Sequence, residues 1–63
     1  MLDVVLKFLN LLEYDARLLG VRENLIVRVV ERNGERLPAT RDYNFERINL
    51  AIENGIVKRA YLG

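Results

Sequence analysis

The chain has 63 residues, ten basic and nine acidic, for a net charge of +1, and it contains neither cysteine nor histidine. Disulfides and thiolate metal sites are therefore excluded, and the commonest general base and metal ligand is missing. There is no serine either, so neither a Ser-His nor a Cys-His apparatus can be assembled, and no pair of carboxylates has a spacing that argues for acid–base work. The composition points to binding rather than catalysis, with no cofactor and no metal. A chain this short hides only about 60% of its unfolded surface, so its stability is marginal unless a second copy or partner helps. Eight of the ten basic residues are arginine, the residue of directed, bidentate contacts. They are interspersed with acids rather than collected into the patch that marks a nucleic-acid binder. No stretch reaches the roughly 20 apolar residues of a membrane span. Asp3 and Lys7 interrupt the apolar N-terminus and no small-residue cleavage site follows, so this is not a signal peptide. The expectation is an intracellular protein, or one whose export signal lies outside this chain, with neither nucleic acid nor membrane as a partner.

In chain order, residues 2–19 read as one helix. Asp3, Lys7, Asn10, Tyr14 and Arg17 recur at steps of four and three on a polar stripe. Leu2, Val5, Leu6, Leu9, Leu12, Ala16 and Leu19 form the core-facing stripe, and Gly20 stands where a left-handed cap is expected. A third apolar stripe, Val4, Phe8, Leu11 and Leu18, has two readings: a widened core contact, or a surface through which two copies associate as a homodimer.

Residues 24–32 read as the first strand, with Leu25, Val27 and Val29 on one face and Ile26, Arg28 and Val30 on the other. Asn33-Gly34 offers a tight turn. Residues 33–46 then form an ordered extended loop, because Pro38 withholds a backbone donor. Should Asn33-Gly34 close a hairpin, residues 35–43 would become a strand instead. Residues 47–62 form a hairpin about Asn54-Gly55. Ile48, Leu50 and Ile52 share one face of its first strand, and Ile56, Lys58, Ala60 and Leu62 alternate with Val57, Arg59 and Tyr61 in its second. The fold class expected is α+β: one N-terminal helix packed on a small mixed sheet, residues 1–63 forming one domain.

The chemistry concentrates at residues 40–47. Thr40 and Asp42 flank Arg41, and Arg47 follows five residues after Asp42 at the start of a strand, where a chain reversal aims it back at both. Such charge-assisted bonds would hold Arg41 outward in one conformation. The plain alternative is a surface Asp42–Arg47 pair worth at most ~1 kcal/mol. Tyr43 and Phe45 offer contact to a partner, or packing beneath the loop for at least one of them.

From Thr40 to Gly63 the chain resembles the potato inhibitor I family, the group of chymotrypsin inhibitor 2 and eglin c, together with its short bacterial relatives. The residues carrying the resemblance are Thr40-Arg41-Asp42-Tyr43, Arg47-Ile48-Asn49-Leu50, Asn54-Gly55-Ile56-Val57 and the terminal Gly63. The resemblance implies a wide reactive loop between two roughly parallel strands, with Ala39, Thr40, Arg41, Asp42 and Tyr43 meeting a serine protease and the scissile bond between Arg41 and Asp42. Arg47, Asn49 and Gly63 would support the loop, with Thr40 and Asp42 bonded to Arg47. Plant members often carry a second supporting arginine where this chain has Asn49, which implies the bacterial branch and a softer loop. An arginine before the scissile bond implies a trypsin-like target first and a subtilisin-like target second. The alternative function is a non-inhibitory homo-oligomeric module using the apolar helix face.

Overall fold

The computed structural model describes residues 2–63, with side chains from Asp3 onward; the side chain of Leu2, assigned above to the core stripe, lies outside the described set. The elements are α1 (Leu2–Leu6), α2 (Glu13–Arg22), β1 (Ile26–Arg32), β2 (Glu35–Arg36), β3 (Arg47–Glu53) and β4 (Ile56–Leu62). The sheet has the order β2-β1-β3-β4. β1 and β3 run parallel, and the pairs β1–β2 and β3–β4 run antiparallel. The fold is α+β with a mixed four-stranded sheet.

The single helix expected over residues 2–19 is two. After Leu6 the chain tightens into three-residue turns, with Lys7, Phe8 and Leu9 donating their N–H groups to Val4, Val5 and Leu6. Asn10 then takes a left-handed conformation, φ 67°, which asparagine tolerates better than most residues. The break lets residues 10–13 lie along the start of β4. There Asn10 N–H donates to the Val57 carbonyl, Val57 N–H to Leu11, and Glu13 N–H to Gly55. The same kink swings Phe8 into the core at 0% exposure, beside Ala16, Ile48, Leu50, Ile52 and Val57. Phe8 therefore cannot belong to a self-association surface. Val4 and Leu11 pack against this core as well, and of the third stripe only Leu18 is mainly exposed. Leu6 and Leu12, expected inside, face solvent because the kink rotates them off the sheet.

Gly20 is not the cap of its helix. It lies inside α2, where a Cβ would stand 2.4 Å from Val27 Cγ2, so glycine sets how closely α2 approaches β1. The left-handed cap falls to Asn24, φ 58°, with Leu25 N–H donating back to the Gly20 carbonyl. At the other end of α2, Glu13 receives Arg32 Nη1 at 2.6 Å and Arg17 Nη2 at 3.0 Å, tying the helix start to the end of β1. Those bonds, Arg32 first, bring the Glu13 carboxyl from its ordinary 4.5 down to about 2. A folded-state value below the unfolded one gives stability that is full above about pH 4.5 and is lost as pH falls toward 2. Glu13→Gln is thus expected to cost roughly 1–2 kcal/mol near neutral pH, after screening by solvent, and almost nothing near pH 2. Urea unfolding at both pH values checks this; an equal cost at both would place the effect outside the ion pairs.

Both Asn-Gly turns form, with positive φ at Asn33, Gly34, Asn54 and Gly55. The first closes a hairpin of only two residues, because β2 ends at Arg36 and Leu37–Asn44 carries no regular pairing. The loop thus survives the hairpin. A register shift between Ala51 and Ile52 makes Lys58 the extra residue of β4, so Val57 turns inward with Ala60 and Leu62 rather than outward with Arg59 and Tyr61.

Candidate functional site: a loop strapped across the sheet

The parallel pairing of β1 and β3 dictates the loop. A parallel partner needs a crossover that returns along the strand's full length, here seven residues or roughly 23 Å. The helices occupy the sheet face lined by Ile48, Leu50 and Ile52, so the crossover runs over the other face, above Arg28, Asn49, Ala51, Arg59 and Tyr61. With no helix of its own, it makes the distance in extended form. Ala39, Thr40, Arg41, Asp42 and Tyr43 are all exposed along it.

Two arginines from two strands hold this span. Arg47, at the start of β3, donates through Nη2 to the Asp42 carbonyl at 2.7 Å and through Nε to the Gly63 main-chain oxygen at 2.9 Å. Its Nη1 lies 3.6 Å from the Asp42 carboxylate. Arg28, on β1, donates through Nη1 to the Thr40 hydroxyl at 3.0 Å and more weakly to the Thr40 carbonyl at 3.4 Å. Thr40 is therefore held by Arg28 and not, as the resemblance implied, by Arg47.

Asn49 joins the two halves. It is fully buried, its Oδ1 accepts from Arg28 Nε at 2.7 Å, and its Nδ2 donates to the Gly63 oxygen at 3.1 Å. The bonds make one circuit, Thr40–Arg28–Asn49–Gly63–Arg47–Asp42, that begins on one side of the Arg41–Asp42 peptide and ends on the other. Among the described residues, no buried side-chain polar atom lacks a partner. Satisfied networks of this kind hold one conformation, and their members do not act independently. The Thr40 hydroxyl first, then the backbone N–H of Asp42 itself, and last the charges of Arg47 and Arg28, keep the Asp42 carboxyl below the usual aspartate range. Asp42 therefore stays an acceptor through the neutral range.

Arg41 is exposed, and none of the described side-chain hydrogen bonds or ion pairs engages it. Beyond it, Tyr43 and Phe45 stack with centroids 6.5 Å apart and planes 19° apart. Both remain in solvent, at 84% and 71% exposure, so neither packs beneath the loop. Arg28 is the supporting residue that sequence reasoning missed. The signal lies in the strand register, which sets Arg28 directly opposite Asn49, but that register is not written in either strand alone.

No protein-family model matches this chain, and neither a curated protein nor a solved structure does. Among the described residues there is no group of three or more acidic side chains able to hold a metal ion, and no helix long and apolar enough to cross a membrane.

Proposed function

We propose that this protein is a non-catalytic serine-protease inhibitor that offers Leu37–Asn44 as a substrate-like loop, with Arg41 as the primary contact and Arg41–Asp42 as the bond the protease addresses. The observation that carries the reading is the circuit that anchors both flanks of one peptide bond while leaving the arginine between them free. A loop ordered in advance loses little entropy on docking. If the bond is cut, Arg28 retains the Thr40 end and Arg47 the Asp42 end, so the new termini stay in place and religation competes with release. The guanidinium of Arg41 matches the acid at the base of a trypsin-like primary pocket, whereas an apolar slot would have to strip its hydration. That ranks trypsin-like targets first and subtilisin-like targets second.

Titration of trypsin and subtilisin with the purified protein, followed by mass spectrometry, tests this. Stoichiometric loss of trypsin activity is expected, with the chain intact or nicked only after Arg41, and Arg41→Ala should abolish it. Full trypsin activity at excess protein would overturn the proposal.

One observation favours a second reading. Tyr14, Leu18 and Val21 recur at helical spacing on α2 and all face solvent. Self-association through this stripe, rather than through Val4, Phe8 and Leu11, is the homodimeric alternative.

A further inference from the structure

Four of the eight arginines scattered along the sequence line one space. A cleft of about 400 Å³ opens between the loop and the outer face of the sheet, and Arg28, Arg36, Arg41 and Arg59 line it together with Tyr61. Its one acidic lining residue is Glu31, which Arg59 Nη2 meets at 2.8 Å and which stands opposite Arg36 in the β1–β2 register. Four guanidinium charges against one carboxylate leave a net of three positive charges around one space. At ~30 Å³ per water, that space holds roughly a dozen waters, enough for a partly hydrated anion.

We propose that this cleft is a binding site for a divalent oxyanion, specifically a phosphoryl group, held by Arg28, Arg36 and Arg59 with Tyr61 at its wall. The arginines come from three different strands, β1, β2 and β4. A tetrahedral group with several acceptor oxygens can meet all three, while a planar carboxylate presents two oxygens in one plane. Two negative charges also relieve most of the repulsion among the guanidiniums, which a single carboxylate does not. An ion seated there cross-links β2, at the loop's start, to β1 and β4, and so clamps the loop to the sheet. The site does not depend on whether the loop meets a protease.

The experiment is a titration of the whole chain with inorganic phosphate in the low millimolar range, above its second ionisation, with ionic strength held constant by chloride. Amide chemical shifts and Tm are the readouts. Saturable shifts confined to residues around the cleft are expected, with Tm rising by about 10 °C near ten times Kd. Arg36→Gln and Arg59→Gln should each weaken binding about tenfold or more. Arg22→Gln, with the same change of charge on the helix side, should not. A phosphoserine peptide run in parallel separates a free ion from a phosphoryl group carried on a chain, by which probe saturates first. Linear, unsaturable responses to both probes, or a response that Arg36→Gln and Arg22→Gln weaken equally, would overturn the proposal.

Discussion

If the loop inhibits as proposed, Arg47→Ala is expected to turn it into a substrate: trypsin should cut Arg41–Asp42 at least about a hundredfold faster, and the nicked chain should no longer hold the enzyme. Arg47 contributes a bond to the Asp42 carbonyl and another to the Gly63 oxygen, with its guanidinium largely buried. Bonds from a charged donor are worth ~1.5–3 kcal/mol each. Losing roughly 3 kcal/mol of restraint corresponds to about two powers of ten. Arg28→Ala should act in the same direction by freeing the Thr40 end. Because both arginines belong to one circuit through Asn49, the double variant should fall short of the sum of the two. Arg47→Lys should not rescue, since a point-like ammonium cannot span two oxygens as the guanidinium fork does. The time course of cleavage by mass spectrometry reads all four proteins. A loop that stays intact in Arg47→Ala would mean that the strap is not what resists the protease.

The features legible in the sequence were those encoded locally. Both Asn-Gly turns, the alternation of Ile48, Leu50 and Ile52, and the irregularity around Pro38 each follow from a few neighbouring residues, and each stands where it was expected. The helix break was hidden because the amphipathic pattern continues through it, Asn10 on the polar stripe and Leu11 and Leu12 on the apolar ones. What ends α1 is hydrogen bonding to Gly55 and Val57, more than forty residues away. Gly20 misled for a similar reason: its position suits a cap, yet its lack of a Cβ is needed against Val27 of the next element. Val57 changed faces through one extra residue at Lys58, a bulge that strict period-two reading cannot register. The supporting set was legible in part. Arg47 sits five residues from Asp42, within reach of sequence reasoning. Arg28 and Thr40 meet only once a parallel register has been chosen, and a parallel pair leaves no local signature.

The second large effect concerns stability. Phe8→Ala is expected to cost about 3–5 kcal/mol, the usual range for emptying a fully buried aromatic site. A chain of this length has roughly 3–9 kcal/mol in all, at ~0.05–0.15 kcal/mol per residue. The variant should therefore be substantially unfolded at 37 °C and show a sharply lowered urea midpoint. The reason lies in the kink: Phe8 is delivered into a core of Ile48, Leu50, Ile52 and Val57 by a turn held from outside by β4. No neighbouring helix can slide in to fill the gap, because residues 10–13 are pinned to residues 55–57. Leu18→Glu makes the contrast. At 52% exposure on the outer face of α2, Leu18 should tolerate the change within about 0.5 kcal/mol. That makes it the clean probe for self-association, as its effect on sedimentation at rising concentration is then free of unfolding. A Phe8→Ala protein with near-normal stability would contradict the kinked packing. A Leu18→Glu protein that becomes monomeric where the parent is dimeric would place the partner surface on α2, opposite the loop.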